Sequence, residues 1–191
     1  MNRRKVLGLI FVAGGTTVMG IGGFKLFQLN KTPDLSYLDH KRDLLAALAE
    51  TIIPATNTPG AREAGVGDFI YLMINDCTDK KTQNKFLDGI KELEDYCSIH
   101  FNKSYPNCAE ADQILVMKHF QQKGKPMGGI FGKAQHKLLG KSFFTSLKEN
   151  TAKGYCTSKL GATKGLVYVA NPGSFKGCVD LVNGQRTWAT K

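Results

Sequence analysis

The segment from residue 50 to residue 70, ETIIPATNTPGAREAGVGDFI, constrains the fold most, because it cannot be helical throughout. Pro54 lacks an amide hydrogen and disfavours helical geometry in the residue before it, so a helix must end there. Thr58, Pro59 and Gly60 are typical of a tight turn, since proline presets φ and glycine accepts a positive φ. The segment therefore predicts a corner between two helices. Apolar residues at helical spacing flank it: Leu44, Leu45, Leu48, Ile52 and Ile53 before it, and Val66, Phe69, Ile70 and Met73 after it.

The hydrophobic periodicity predicts an all-α fold, a single bundle-like helical domain with a coil-rich C-terminal tail. A capping box at Ser36 and Asp39 is expected to start the first helix, and Thr78 with Asp79 the third. The segment 100–108 is turn-like, and the chain from Gly154 onward is expected to be ordered coil, with 163–169 a short helix or extended piece. The expected helices cover about 37–53, about 66–77, the region from 79 to about 96, the region from about 108 onward, and about 133–150.

The third helix is expected to carry one apolar face, made of Phe86, Leu87, Ile90, Leu93 and Tyr96. The fifth helix is expected to place Leu138, Leu139, Phe143 and Leu147 inward, and the fourth carries Ile114, Leu115 and Lys118 with Phe120.

Residues 1–30 have the pattern of an export signal or membrane anchor, which leaves 31–191 as the domain. Arg3 and Arg4 precede nineteen uncharged, weakly hydrophobic residues, a pattern typical of twin-arginine export. An N-terminal transmembrane helix is the alternative, because nineteen helical residues span about 28 Å. Both interpretations predict a periplasmic domain, and both leave retention at the inner membrane open.

The formal charge of +10 does not indicate a nucleic-acid-binding protein. The basic residues are scattered, with no run of five or more and no interleaved aromatic residues of the kind that form a stacking platform. A solvated basic surface, with no nucleic acid as partner, is therefore expected.

No pattern in the sequence predicts catalytic, cofactor-binding or metal-binding residues. The four histidines are dispersed, and the motifs of zinc, haem, dinucleotide and serine-hydrolase sites are absent. The segment 123–133 resembles a phosphate-binding loop, but Met127 replaces its first glycine and Ala134 its Ser or Thr. The acidic residues Glu92, Glu94 and Asp95 lie on a helix with alternating charge, the pattern of a solvated face.

The five cysteines are Cys77, Cys97, Cys108, Cys156 and Cys178. In an exported protein, disulfides are the default expectation. Cys97 and Cys108 flank one turn between helices, so a bond between them is easy to form and contributes about 3 kcal/mol. An iron–sulfur site is the alternative, but the usual C-x-x-C spacing is missing.

The corner resembles the opening of the gluconate 2-dehydrogenase subunit 3 family, in the order E-T-I-I-P-x-T-x-T-P-G-A-x-x-A-G-V with F-I following. The C-terminal part is similar to the same family over most of residues 154–189. The middle of the chain, 95–135, matches only in general character, without specific motifs. The C-terminal residues that carry the resemblance are Gly154, Tyr155, Thr157, Ser158, Gly161, Ala162, Thr163, Tyr168, Val169, Pro172, Gly173, Gly177, Cys178, Trp188 and Ala189.

The resemblance implies a non-catalytic small subunit that escorts and scaffolds a membrane-bound sugar or gluconate dehydrogenase. It implies two partners: an FAD-dependent catalytic subunit of the glucose–methanol–choline (GMC) type and a multihaem cytochrome c, with no cofactor in this chain. Cys77 and Cys178 stand where the family tends to carry cysteine, which makes them the second expected disulfide and leaves Cys156 free. Tyr168 and Trp188 are candidate interface anchors, with burial in the chain's own core as the alternative.

Two other functions remain open at this level. One is a self-sufficient periplasmic enzyme that uses Cys156 or a histidine, and the other is a membrane-tethered interaction module without a dehydrogenase partner.

Overall fold

The computed structural model describes residues 29–125, 140–171, 173–174 and 177–189. The predicted export segment with Arg3 and Arg4, and the expected core residues Leu138 and Leu139, lie outside this range. No helix in the described part is long and apolar enough to cross a bilayer.

The described residues form a helical bundle, which confirms the predicted all-α class. They contain no β-strand, and their only strand-like pairing is an isolated bridge near the C-terminus. In chain order the elements are α1 (Ser36–Asp39), α2 (Arg42–Ile52), α3 (Val66–Asp76), α4 (Lys80–Phe101), a 3₁₀ turn (Tyr105–Asn107), α5 (Glu110–Lys123), α6 (Phe143–Thr157) and a π-helical turn (Gly161–Gly165).

Helix α6 lies at the centre of the bundle and contacts α2, α3, α4 and α5. Small residues let its neighbours approach closely: a Cβ added at Gly89 of α4 would lie 2.3 Å from the Cβ of Phe143. One continuous apolar core results. Its largest fully buried side chains include Leu45, Leu48, Ile70, Ile74, Phe86, Ile90, Leu93, Tyr105 and Leu147.

The predicted corner between α2 and α3 is confirmed. The backbone turns after Ile53, whose carbonyl accepts a hydrogen bond from the Ala61 amide at 2.9 Å. The carboxylate of Glu50 accepts hydrogen bonds from the Ala55 and Arg62 amides, both at 2.8 Å. Glu50 thus provides hydrogen-bond acceptors for two backbone amides of an irregular loop. The sequence did not predict this role.

The prediction of one helix over 37–53 with a capping box is wrong, because the helix divides at His40 and Lys41. Ser36 lies inside α1, where its hydroxyl donates to Asp34 at 2.5 Å instead of capping the helix. Tertiary contacts hold α1 in place: Leu38 is fully buried, and the Asp39 carboxylate accepts a hydrogen bond from Tyr71 of α3.

Helix α4 begins at the predicted cap. Asp79 accepts hydrogen bonds from the amide of Thr82 at 3.0 Å and from its hydroxyl at 2.8 Å. The predicted inward residues Phe86, Leu87, Ile90 and Leu93 are buried, and Tyr96 is half-buried. The helix runs further than expected, to Phe101, and ends where Asn102 adopts a left-handed conformation at φ 50°.

Helix α5 packs against the bundle through one face. Ile114, Leu115 and Lys118 are exposed, and the buried residues are Val116, Met117 and Phe120. The orientation follows from Gln113, whose amide nitrogen donates to the carbonyls of Tyr105 at 3.0 Å and Cys108 at 3.3 Å. Residues 113, 116, 117 and 120 share one face, so anchoring Gln113 turns the other apolar residues outward.

The predicted range 133–150 for the last helix is also wrong. Residues 140–142 are not helical, and Gly140 has a φ of +75°. The helix begins after Ser142, whose side chain accepts a hydrogen bond from the Thr145 amide at 3.3 Å, and continues to Thr157. Gly154, the expected start of the coil, is a buried position where Phe69 packs closely.

Candidate interaction surface

A short backbone pairing joins two segments of the C-terminal tail. The Val167 amide donates to the Thr187 carbonyl at 2.9 Å, and the Ala189 amide donates to the Val167 carbonyl at 2.8 Å. This bridge pairs Val167 with Trp188 in parallel orientation. The two candidate interface residues, Tyr168 and Trp188, therefore flank the same pairing.

A second set of contacts orders the tail beyond the bridge. The chain turns at Val182–Gln185, where the Gln185 amide donates to the Val182 carbonyl at 3.0 Å and Gly184 has a φ of +78°. Arg186 then reaches the π-helical turn and donates to the Lys164 carbonyl at 2.5 Å. The described part of the tail therefore has a defined path.

The ordered tail exposes a group of large apolar side chains. Leu181 is 88% exposed, and Tyr168 and Trp188 are 51% and 53% exposed, so neither aromatic ring is buried in the core. Val179 and Val182 are exposed as well. We call these five residues the tail surface. Exposed large apolar side chains of this kind are candidates for an interaction site when they form a contiguous patch.

The sequence predicted two of the five residues of the tail surface, the aromatic residues Tyr168 and Trp188. It did not predict Val179, Leu181 and Val182. The signal in the sequence was an apolar cluster in a segment with neither helical nor strand periodicity. Such residues lack a regular element on which to face inward.

The polar corner is attached to the end of α6 by one long-range contact. The hydroxyl of Tyr155, which is buried, donates to the carbonyl of Pro59 at 2.8 Å. Gly165 packs against the same ring, since an added Cβ would lie 2.5 Å from the Tyr155 hydroxyl. Tyr155 thus connects the corner, α6 and the base of the tail.

Cys97 and Cys108 lie beside each other in the core, both as free thiols in this structure. Burial, together with the neighbouring Cys108, raises the pKa of the Cys97 thiol to about 12. Cys108 also donates to the Ser104 carbonyl at 3.5 Å. Their proximity is compatible with the predicted bond, which stays a prediction. Cys77, Cys156 and Cys178 are exposed.

Two of the four histidines come together, although they are far apart in sequence. His100 of α4 and His119 of α5 both pack on the ring of Tyr96, at centroid distances of 4.1 and 4.6 Å. Within the described residues, no three His, Cys, Asp or Glu side chains are grouped so that they could hold a metal ion. His136 lies outside that range.

The acidic residues of α4 take part in more contacts than a solvated face requires. Glu94 forms an ion pair with Lys41 at 2.6 Å and accepts the hydroxyl hydrogen of Tyr37. Burial and the adjacent Glu94 carboxylate raise the pKa of Tyr37. Glu92 pairs with Lys123. Both acids therefore connect α4 to neighbouring parts of the bundle.

The chain matches a family model described as gluconate 2-dehydrogenase subunit 3 over residues 39–173. This range spans the described helices from α2 onward and the corner. Of the two residues paired in the bridge, it includes Val167. It ends before Val179, Leu181, Val182 and Trp188. No curated protein and no solved structure matches the chain.

Proposed function

The chain belongs to the gluconate 2-dehydrogenase subunit 3 family, and from that premise we propose that it is the non-catalytic small subunit of an FAD-dependent sugar or gluconate dehydrogenase. The family match over residues 39–173 is the observation that carries this proposal. The catalytic partner is a GMC-type flavoprotein, and a multihaem cytochrome c accepts its electrons. FAD and haem belong to those partners, and this chain holds no cofactor.

We further propose that the chain acts as escort and scaffold. Arg3 and Arg4 direct twin-arginine export, a route that accepts folded proteins, so a flavoprotein loaded with FAD in the cytoplasm crosses the membrane with this chain. The N-terminal segment then serves as signal or inner-membrane anchor, and the domain functions in the periplasm.

The tail surface supports a binding role for the domain. Aromatic residues are enriched among the residues that contribute most to protein interfaces, and Trp188 and Tyr168 are exposed at the bridge. The bridge fixes the backbone that carries them, so less backbone entropy is lost when a partner binds.

The test is expression of the catalytic subunit with and without this chain. We expect the flavoprotein alone to accumulate in the cytoplasm or to lack FAD, measured by periplasmic activity with a dye acceptor and by flavin absorbance. Replacing Arg3 and Arg4 with lysine should block export of both chains. A fully active, FAD-loaded flavoprotein in the periplasm without this chain would contradict the escort role.

A further inference from the structure

A groove runs along α5, on the side where it meets α6 and the end of α2. Two adjoining cavities, of about 420 and about 210 Å³, share Gln121, Phe144 and Lys148 as lining residues. The lining follows α5 from Ile114 to Gln121, about 10 Å at 1.5 Å per residue, and continues past the end of the helix to Gly124 and Lys125. The groove is therefore long enough for about two turns of a second helix.

The floor of the groove is apolar. Ile52 of α2, Met117 and Ile114 of α5, and Phe144 and Ala152 of α6 line it. Ile114 is exposed because Gln113 fixes the rotation of α5, as described above. The groove has the form that accepts the apolar face of an amphipathic helix.

The rim of the groove is positively charged. Lys118, Lys125 and Lys148 line it, are exposed, and form no ion pair with the described part of the chain. Glu149 is the one acidic residue among the described lining residues, and its carboxylate pairs with Lys141. The rim thus presents three uncompensated positive charges to whatever occupies the groove.

Charge also decides between the possible occupants. The parts of this chain outside the described range are basic: residues 1–28 carry Arg3, Arg4, Lys5 and Lys25, and residues 126–139 carry Lys133 and Lys137, in both cases without an acid. A second copy of a chain with a formal charge of +10 is repelled as well. A partner with acidic residues is attracted to this rim.

We propose that the groove is the docking site for a short amphipathic helix of the catalytic partner, with an apolar face flanked by Asp or Glu. This inference rests on the proposed function, because it assumes that a flavoprotein partner exists. The groove is a second contact with the partner, separate from the tail surface. The helix that occupies it is apolar in the centre and acidic at its edges.

The first experiment reverses two rim charges in the complete protein. We expect the double variant Lys118→Glu, Lys148→Glu to bind the purified flavoprotein at least tenfold more weakly, measured by isothermal titration calorimetry. The matched control is Lys103→Glu, Lys159→Glu, which changes the net charge equally at exposed lysines outside the groove and should alter the dissociation constant less than threefold. Circular dichroism and thermal unfolding verify that all variants fold.

The outcomes separate this inference from the function on which it rests. If the unaltered chain does not bind the flavoprotein, the proposed function and the docking site both fail. If it binds, and the groove and control variants bind equally well, only the docking site is overturned.

The second experiment identifies the occupant. A photo-crosslinking residue at Gln121, in the middle of the groove, should cross-link to an acidic, amphipathic segment of the flavoprotein in the co-expressed complex, as read by peptide mass spectrometry. The same residue at the exposed Ser98 of α4 is the control. A cross-link from Gln121 to residues 126–139, to the N-terminal segment or to a second copy of this chain would overturn the proposal, as would the absence of any cross-link.

Discussion

At the scale of single residues, Glu50 shows how one side chain stabilises an irregular loop. Its carboxylate accepts the Ala55 and Arg62 amides on opposite sides of the corner, so the loop closes around the last turn of α2. Gly60 packs directly against this carboxylate, since an added Cβ would lie 2.3 Å from it. Backbone amides of a loop need partners, and here a helix provides them.

We expect Glu50→Ala to lower the free energy of unfolding by about 2 kcal/mol, because both amides lose a charged acceptor. Urea unfolding followed by circular dichroism measures this change. Glu63→Ala is the control, since Glu63 is exposed in the same loop and should change stability by less than about 0.5 kcal/mol. Equal effects of the two substitutions would contradict the assigned contacts.

Burial also changes the protonation of Cys97. Its folded-state pKa of about 12 lies above the ordinary value of 9.0, because the thiolate is poorly solvated in the core. The folded state therefore keeps a proton that the unfolded state releases. Its contribution to stability is complete below the ordinary pKa and declines as the pH rises towards the folded pKa.

We expect the reduced protein to lose stability as the pH rises above about 8.5. Cys97 should contribute a decrease in the free energy of unfolding of at most about 1.4 kcal/mol per pH unit. Cys97→Ala should lower stability at neutral pH but flatten this slope. Urea unfolding with a reducing agent at several pH values measures it. Cys156→Ala, at an exposed cysteine, should keep the slope, and an unchanged slope in Cys97→Ala would exclude Cys97 as its source.

At the scale of helices, close contacts at small residues determine how α6 fits into the bundle. Gly89 of α4 lies against Phe143, and Phe86 packs on the same ring at a centroid distance of 5.2 Å. Phe120 of α5 packs on it edge-on at 5.7 Å. Phe143 therefore joins three helices, and the missing side chain at Gly89 makes space for it.

Gly89→Ala should destabilise the protein by about 1–3 kcal/mol, because the new methyl group overlaps Phe143. Alanine favours an isolated helix over glycine by about 1 kcal/mol, so the sign of the effect distinguishes packing from helix propensity. Thermal and urea unfolding measure the effect. Ser98→Ala in the exposed part of α4 is the comparison and should be nearly neutral. A stabilised Gly89→Ala variant would show that α4 and α6 do not approach as described.

The Cys97–Cys108 pair joins the end of α4 to the start of α5. In protein exported to the periplasm we expect a disulfide between them, identified by alkylation and non-reducing peptide mass spectrometry. The double variant Cys97→Ser, Cys108→Ser should lose about 3 kcal/mol of stability. The same experiment tests the predicted Cys77–Cys178 bond. We expect Cys156 to be alkylated, because it is predicted to be a free thiol. Alkylation of both Cys97 and Cys108 would contradict the first bond.

At the scale of the whole molecule, the described domain has a stable helical body and an ordered, exposed tail. Buried apolar residues are concentrated in α2–α6, whereas the tail surface keeps its large side chains in solvent. Substitutions on that surface should therefore affect association and not folding.

Val179→Ser with Leu181→Ser should leave the unfolding free energy within about 0.5 kcal/mol of the unaltered chain, because both residues are exposed. The same variant should bind the flavoprotein at least tenfold more weakly, as measured by calorimetry. Ile99→Ser, at an exposed apolar residue of α4, is the matched control and should bind normally. Normal binding by the tail variant would remove the tail surface from the interface.

The sequence by itself determined the features that depend on neighbouring residues along the chain. Pro54 ends α2, Asp79 starts α4, and the spacing of Phe86, Leu87, Ile90 and Leu93 identifies the buried face of that helix. These features follow from missing hydrogens, local caps and helical periodicity. For the same reason the all-α class and the corner were predictable.

Only the tertiary structure decided the features that depend on residues distant in sequence. Periodicity could not fix the rotation of α5, because apolar residues occur around it and the carbonyls that hold Gln113 belong to the preceding turn. Likewise, contacts with α3 and α4 hold α1 as a separate helix, and the bridge pairs Val167 with Trp188 across the tail. Burial is set by what packs against a residue, and a linear pattern does not contain that partner.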